Sequence, residues 1–327
     1  MTGPLIVLGV SRSGTTLLRV MLDRSPGIAI PDESFFVPLL ARRHRGNVDT
    51  SSFLDDLRRI PTLRAWNVSA DEVAPRLRQG MRTGEAVAAV FESYAEKNGK
   101  PRWGDKTPMY MRHLPLLERL FPDGQYVHLV RDGRDAALSF LEMPEGTFTR
   151  TWARPRSAGQ FGCLWRKEVL AARALGRWVG TGRYFEARYE ELVARPAEVV
   201  QAICDFADIG FEPAMFEYVG SVDVSEKPHQ QRLLQSPTVG VRSWRDEMTA
   251  RDLGAFEAIA GDLLAELGYE LRARPPRVGT VRAVAARASY DLRLGAWNMA
   301  TSVFQRSPLW RRRHSPIEPE RRDPALR

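Results

Sequence analysis

The stretch that most constrains the fold of this chain runs from Leu5 to Leu22, with the sequence LIVLGVSRSGTTLLRVML. Its first four residues form a continuous apolar run, which is typical of a parallel strand buried on both faces. A turn rich in Gly and Ser follows over 9–16, and the apolar residues after it recur at helical spacing. A helix that starts in this way presents backbone N–H groups without intrahelical partners, and these favour a bound anion. The sequence therefore predicts a phosphate or sulfate site at this turn.

The turn has nearly the spacing of a nucleotide-binding P-loop, GxxxxGK[ST]. Gly9 and Gly14 are five residues apart, and Thr15 and Thr16 follow. The P-loop lysine is missing, because Thr15 stands in its place and the only cation of the turn is Arg12. Since that lysine reaches the β- and γ-phosphates, its absence argues against nucleoside triphosphate chemistry. The loop still suits a 5′-phosphate-like group; the alternative is a strand, turn and helix without a ligand.

The rest of the chain alternates predicted strands and helices, which indicates an α/β fold with a P-loop-like parallel sheet flanked by helices. At 327 residues, with 43% hydrophobic and 27% charged residues, it is long enough for one large domain. We expect that domain over 1–272 and, after Pro275 and Pro276, a basic amphipathic helical tail over 273–327. Further strands are expected at 28–30, 125–130 and 182–185. Helices are expected at 84–98, from Thr107 through Phe121, from 133 through Leu141 and at 249–267. Another long helix is expected to follow residue 157 and to end at about Trp178.

Two segments, GVSRSGTTLLRVMLDRSPG and VHLVRDGRDAALSF, resemble the sulfotransferases that use 3′-phosphoadenosine 5′-phosphosulfate (PAPS). The resemblance is to the branch of protein-tyrosine and many bacterial enzymes, and it covers about residues 4–268. It implies transfer of a sulfuryl group from PAPS to an acceptor hydroxyl. It also implies that the first loop holds the 5′-phosphosulfate, through Arg12, Ser13, Gly14, Thr15 and Thr16.

In the second segment, Arg131 ends a predicted strand and Ser139 follows eight residues later. In the family, an arginine and a serine in this pattern hold the 3′-phosphate of PAPS. Arginine offers phosphate a bidentate fork and the serine hydroxyl adds a donor, so the assignment is physically sound. The alternative for Arg131 is a salt bridge to Asp132 or Asp135.

Glu33 in PDESFF resembles the glutamate that takes the proton from the acceptor hydroxyl in these enzymes. Asp32 is a competing candidate, and an acid at 33 would also suit the first turn of a helix. Lys106 in WGDKTP matches a lysine near the transferring group, where it and Arg12 would stabilise charge on the departing phosphate. An exposed loop lysine is the alternative, and Asp105 is a candidate to orient Lys106. In this scheme the cations and backbone donors suffice, and no metal is required.

Two later segments extend the resemblance. The sequence RYEEL at 188–192 is similar to a segment whose tyrosine touches the nucleotide, which assigns Tyr189 to PAPS binding. The sequence VGVRSWRDEM at 239–248 resembles the segment that closes over the 3′-phosphate, although it lacks the usual basic-basic-glycine run. Arg242 is the first candidate there and Arg245 the second.

The net charge of +8 comes entirely from the tail. Residues 273–327 hold twelve Arg, no Lys and four acids, whereas the rest of the chain has 36 basic and 36 acidic residues. The domain itself therefore gives no sign of nucleic-acid binding. The tail has apolar residues at helical spacing, and we expect them to dock on the body or on another subunit; contact with an anionic membrane surface is the alternative. These residues are Val281, Val284, Ala288, Leu292, Met299 and Val303. From Ser315 onward, Pro and charge predict disorder.

Two other functions stay open on the sequence alone. A P-loop kinase with a displaced lysine would bind ATP with Mg²⁺, and a nucleotide-binding scaffold with a membrane- or partner-binding tail would need no base at Glu33. We expect a small-molecule, carbohydrate, lipid-linked or peptide acceptor with a hydroxyl, recognised by 35–82 and 143–160. No bilayer-spanning run or secretory signal is visible, and Cys163 and Cys204 are too few for a disulfide framework. We therefore expect a cytoplasmic protein.

Overall fold

A computed structural model describes residues 3–143, 154–218, 243–272 and 281–304. The chain divides into two compact units. The first unit comprises 1–9, 14–130 and 171–239, and the second comprises 10–13, 131–170 and 240–327. The boundary expected between 272 and 273 stays a prediction.

A four-stranded parallel sheet lies at the centre of the first unit. Its strands pair in the order β2-β1-β3-β4, with β1 at Leu5–Leu8, β2 at Gly104–Asp105, β3 at Gln125–Val130 and β4 at Tyr184–Arg188. All four residues of β1 are buried, as a central strand covered on both faces requires. Ile6 of β1 pairs with Asp105, so the ends of β1 and β2 lie at the same edge of the sheet. This is the edge at which parallel α/β sheets bind ligands.

The described residues contain fourteen α-helices. In chain order they are α1 (Thr15–Asp23), α2 (Val37–Arg43), α3 (Thr50–Leu57), α4 (Pro61–Ala65), α5 (Ala70–Val73), α6 (Thr83–Lys97), α7 (Leu114–Leu120), α8 (Gly133–Leu141), α9 (Ala158–Val179), α10 (Tyr189–Ala194), α11 (Pro196–Ala207), α12 (Trp244–Glu247), α13 (Ala250–Glu266) and α14 (Val281–Phe304). Short 3-10 helices occupy Ala74–Arg76, Pro108–Arg112 and Pro213–Phe216. None of the described helices is long and apolar enough to cross a membrane.

Two apolar clusters stabilise the first unit. In one, the buried face of α1, including Leu18 and Met21, packs with β1, β3 and α11. The other is aromatic, and its rings of Phe91 and Trp103 stack with centroids 4.4 Å apart. Phe36, at the start of α2, packs on Phe91 at 5.6 Å. This contact fixes the end of the loop that carries Glu33.

A buried arginine organises the second unit. Arg134 is 1% exposed, and its guanidinium donates to Asp132 Oδ2 and to Glu257 Oε1, both at 2.7 Å. Trp165 and Phe256 press against Gly133, where an added Cβ would lie 2.6 Å from each ring. Because both carboxylates and both rings hold the first turn of α8, the backbone next to Arg131 is fixed.

The predicted α/β fold with a helix-flanked parallel sheet is confirmed, and the strand at 125–130 has the predicted bounds. The strand expected at 28–30 is wrong, because that segment forms only an isolated bridge from Ala29 to Trp103, and β2 takes the place beside β1. The strand expected at 182–185 instead spans Tyr184–Arg188.

The single helix expected from Thr107 through Phe121 is also wrong. It is a 3-10 helix at Pro108–Arg112 followed by α7. Pro115 lies in the first turn of α7, and proline there cannot continue a helix from the preceding turn because it lacks an N–H and clashes with the carbonyl four residues earlier.

The tail contains the predicted helix, α14, but its orientation differs from the expectation. The described members of the predicted docking stripe, including Leu292 and Met299, are exposed. Ala283, Tyr290 and Leu294 are the buried residues of α14 instead. Docking of the predicted stripe on the body is therefore wrong within the described chain. Residues 305–327, with the disorder expected after Ser315, lie outside the described residues.

Candidate functional site

The turn over 9–16 has the strained backbone of an anion-binding loop. Arg12 and Gly14 have φ of 73° and 88°, in the left-handed region. Ser13 is buried, and its Oγ makes no hydrogen bond within the described part of the chain. Helix α1 begins at Thr15, and the N–H groups of its first turn have no intrahelical partner. No described side chain caps them either. The turn therefore presents backbone and hydroxyl donors suited to a phosphate or sulfate.

Two arginines and a serine predicted to bind PAPS come together in the second unit. Arg12 Nε donates to Ser139 Oγ at 3.0 Å, and Arg131 Nη1 donates to the carbonyl of Arg12 at 3.0 Å. Trp165 Nε1 donates to the carbonyl of Arg131 at 3.1 Å and so holds its backbone. Asp132, one of the two acids considered as a salt-bridge partner of Arg131, pairs with Arg134. Two cationic side chains beside a hydroxyl form a group that suits a phosphate.

In the first unit, Lys106 forms an ion pair with Glu33. Lys106 Nζ donates to Glu33 Oε1 at 2.5 Å and to Thr16 Oγ1 at 3.2 Å. The side chain of Lys106 is 1% exposed and that of Glu33 is 20% exposed. Lys106 is thus not an exposed loop lysine, and the pair lies beside the first turn of α1. The carboxylate keeps access to solvent, while the ammonium that faces it is buried.

The sequence left two alternatives to Glu33 as the general base: Asp32 in its place, and a Glu33 that merely suits the first turn of a helix. Asp32 pairs with Arg19 at 3.3 Å, and its side chain is more exposed than that of Glu33. Glu33 itself is not in the first turn of a helix, because α2 begins at Val37. The helix dipole therefore gives no account of an acid at this position.

A set of hydrogen-bonded hydroxyl groups, which the sequence did not predict, ties the two segments of the ion pair together. Ser34 N donates to Thr107 Oγ1 at 3.0 Å, and Ser34 Oγ lies 2.7 Å from Tyr110 Oη. Val37 N donates to the same Tyr110 Oη at 3.1 Å. The sequence predicts Thr107 and Tyr110 only as members of one helix. The signal present was a hydroxyl residue directly after each charged residue, Ser34 after Glu33 and Thr107 after Lys106.

Asp105, at the end of β2, lies beneath this set of hydroxyls. Its Oδ1 accepts from Thr107 Oγ1 at 3.2 Å, and its buried Oδ2 accepts no hydrogen bond from the residues that the structure describes. Burial raises the pKa of the Asp105 carboxyl to about 7. Asp105 thus accepts a hydrogen bond from Thr107, and the predicted role of Asp105 in orienting Lys106 stays a prediction.

Replacing Asp105 with Asn is expected to flatten the pH dependence of stability. The pKa of the folded-state carboxyl is about 7, above its ordinary value of 3.8. Between these values the folded chain binds more protons at Asp105 than the unfolded chain does, so the free energy of unfolding falls as the pH rises from about 4 to about 7. Asn is neutral throughout and lacks this fall. Urea unfolding of both proteins below and above this range measures it.

The same substitution at Asp71, whose side chain is 84% exposed, is the matched control. It should leave the pH dependence of the wild type in place. Equal flattening by both variants would contradict the assignment to Asp105.

Tyr189, the first residue of α10, packs against the loop glycine. A Cβ added to Gly14 would lie 2.3 Å from Tyr189 Cδ2. The ring thus covers the start of α1, and its contact with a nucleotide stays a prediction.

Arg242 lies outside the described residues. Arg245 donates to Glu270 Oε2 at 2.5 Å in an exposed ion pair.

Replacing Gly14 with Ala is expected to destabilise the fold through both strain and overlap. A left-handed backbone costs alanine about 1–2 kcal/mol, and overpacking against Tyr189 adds about 1–3 kcal/mol. Gly80 is the matched control, because its φ is +77° and no atom lies within 4 Å of an added Cβ. Gly80→Ala should therefore show only the strain. Urea unfolding compares the two variants, and equal losses of stability would mean that Tyr189 does not pack on the loop.

The described residues contain no group of three or more His, Cys, Asp or Glu side chains that could hold a metal ion. Both cysteines, Cys163 and Cys204, are buried thiols. Independence from metal stays a prediction.

Solved structures with a similar fold include two sulfotransferase domains. The domain of the Synechococcus PCC 7002 olefin synthase aligns with a TM-score of 0.58 at 24% identity, covering 83% of this chain and 98% of that domain. The domain from the curacin biosynthetic pathway aligns with a TM-score of 0.55 at 21% identity, covering 83% of this chain and 99% of that domain. At these identities the likeness establishes the fold.

Sequence comparisons lead to the same family. Nodulation protein NoeE of Sinorhizobium fredii is 30% identical over 290 residues, which are 82% of this chain and 66% of NoeE. Protein-tyrosine sulfotransferase A of Caenorhabditis elegans is 25% identical over 304 residues, which are 89% of this chain and 74% of that protein. A family model described as "Sulfotransferase family" matches residues 4–213. The chain therefore belongs to the sulfotransferase family.

Proposed function

We propose that this protein transfers a sulfuryl group from PAPS to a hydroxyl of an acceptor, with Glu33 as the general base. The observation that carries the proposal is the pair of Glu33 and Lys106, with Nζ and Oε1 2.5 Å apart. The partly exposed carboxylate of Glu33 can accept the proton of the acceptor hydroxyl. The buried ammonium of Lys106 can stabilise negative charge on the departing phosphate. Membership of the sulfotransferase family supports the reaction class.

The proposed reaction is a direct transfer in a ternary complex. The acceptor oxygen attacks sulfur in line, the bond from sulfur to the bridging phosphate oxygen breaks, and adenosine 3′,5′-bisphosphate leaves. The proton of the acceptor hydroxyl goes to the Glu33 carboxylate. Negative charge moves onto the bridging oxygen, where Lys106 and Arg12 would stabilise it. No covalent enzyme intermediate and no metal are needed in this scheme.

Donor recognition is proposed for two sets of residues. The 5′-phosphosulfate would be held by the loop residues Ser13, Gly14, Thr15 and Thr16. The 3′-phosphate would be held by Arg131 and Ser139, with Tyr189 on the nucleotide and Arg242 from the later segment. Support comes from the contacts of Arg12 with Ser139 and of Arg131 with the Arg12 carbonyl.

The acceptor is proposed as a compound with a free hydroxyl: a small molecule, a carbohydrate, a lipid-linked sugar or a tyrosine peptide. The matched relatives include protein-tyrosine sulfotransferases, which makes tyrosine peptides one class to test. A cytoplasmic location stays a prediction.

Transfer of labelled sulfuryl groups tests the proposal directly. The full chain is incubated with PAPS labelled in its sulfuryl group and with tyrosine peptides, phenols and sugars, without added metal. Label should appear in at least one class of acceptor. Transfer of the γ-phosphate of ATP in the presence of Mg²⁺, with no transfer from PAPS, would instead support the kinase with a displaced lysine.

A further inference from the structure

One face of α14 is held firmly by the second unit. Tyr290 and Leu294 are buried, and Arg287 donates to the carbonyl of Ile259. Asp291 pairs with Lys167 at 2.5 Å. These contacts lie on one side of the helix and fix its rotation about its own axis. The opposite side therefore points away from the unit.

The opposite side of α14 is a continuous apolar stripe. At 100° per residue, eight exposed positions fall within one face of the helix, and none of them has a polar side chain. The four large residues among them are 53–86% exposed. The stripe runs for about 27 Å along the helix. Single apolar residues are normal on a surface, whereas a continuous stripe marks an interaction site. The stripe consists of Val281, Val284, Ala285, Ala288, Leu292, Gly295, Ala296 and Met299.

The charge of the surrounding sequence indicates what binds this stripe. All of the excess positive charge of the chain lies in 273–327, which holds twelve Arg and four acids. The ten residues after the helix, 305–314, include Trp310 and four Arg but no acid. Two copies of the chain would bring these like charges together, whereas anionic lipid headgroups would neutralise them. An apolar helix face followed in the sequence by arginines and a tryptophan suits the interface of a membrane.

We propose that the apolar stripe of α14 binds the surface of a membrane that contains anionic lipids. The helix would lie in the plane of the interface, with Leu292 and Met299 among the acyl chains and the arginines at the headgroups. The proposal is independent of the proposed sulfuryl transfer, because it concerns only lipid binding. Its test therefore needs neither PAPS nor an acceptor.

Co-sedimentation of the full chain with vesicles tests the proposal. Vesicles of phosphatidylcholine alone are compared with vesicles that also contain phosphatidylserine, at low and at high salt. The wild type should bind the mixed vesicles, and binding should weaken without phosphatidylserine or at high salt. The double variant Leu292→Glu, Met299→Glu should bind the mixed vesicles at least roughly tenfold more weakly than the wild type. Both side chains are exposed, so we expect the variant to keep the melting temperature of the wild type.

Trp178→Glu is the matched control, because Trp178 is 81% exposed and lies outside the stripe. It should bind vesicles as the wild type does. The proposal is overturned if the wild type does not bind the mixed vesicles, or if the double variant binds them as well as Trp178→Glu does. It is also overturned if sedimentation velocity without lipid shows a dimer that only the double variant dissociates, because the stripe would then be a contact between two copies. If the double variant proves unstable, a wild type that does not bind the mixed vesicles still overturns the proposal.

Discussion

Replacement of Glu33 with Gln is expected to lower kcat for sulfuryl transfer about 10²-fold or more. Gln keeps the size of the side chain and can still accept a hydrogen bond from Lys106, but it cannot take the proton of the acceptor hydroxyl. Binding of adenosine 3′,5′-bisphosphate should remain at the wild-type level, because that ligand requires no proton transfer. Steady-state kinetics and calorimetry on the same preparation measure the two quantities.

The matched control is Asp32→Asn, which makes the same chemical change at the neighbouring residue. Asp32 pairs with Arg19, whereas Glu33 pairs with Lys106, so this variant should keep kcat near the wild-type value. If Asp32→Asn loses activity and Glu33→Gln does not, Asp32 is the base and the assignment is wrong.

Replacement of Lys106 with Met is expected to lower kcat about 10²- to 10³-fold, the usual effect of removing one group that stabilises transition-state charge. Met fills a similar volume, so the loss reports the missing charge more than a cavity. The Glu33 carboxylate also loses the cation that lies 2.5 Å from it. Both effects act on the chemical step, and single-turnover measurements at saturating PAPS isolate that step.

Lys100→Met controls for the loss of a lysine in the same unit. Lys100 is partly buried and pairs with Asp23 at 3.3 Å, whereas Lys106 pairs with Glu33. It should keep kcat even if it lowers stability. A Lys106→Met enzyme with wild-type kcat would remove Lys106 from the mechanism.

Strong local patterns predicted the central elements of the fold. The apolar run at 5–8 became β1, and the strand at 125–130 kept its bounds. The helix predicted after the turn over 9–16 is α1, which begins two residues earlier than predicted, at Thr15. These elements depend on neighbouring residues in the chain. The two-residue strand β2 has no such pattern, because its sequence is only Gly104 and Asp105, and its existence depends on pairing with β1.

Contacts between distant residues explain what the sequence did not predict. Tyr110 and Ser34 are 76 positions apart, and no periodicity indicates that their hydroxyls lie 2.7 Å apart. Helix α14 has apolar residues on two faces, so its pattern predicts a helix but not which face is buried. The buried face is the one with Ala283, Tyr290 and Leu294, where Arg287 also donates to the carbonyl of Ile259, a residue far away in the sequence.

The most direct test of the central claim is calorimetric titration of adenosine 3′,5′-bisphosphate without Mg²⁺, with ATP as the comparison ligand. The wild type should bind the bisphosphate more tightly than ATP. Arg131→Ala should weaken this binding about 10- to 100-fold, because it removes charged hydrogen bonds to phosphate. Arg166→Ala, which removes an arginine of the same unit paired with Asp262, should bind as the wild type does. A wild type that binds no bisphosphate, or that binds only ATP with Mg²⁺, would contradict PAPS as the donor.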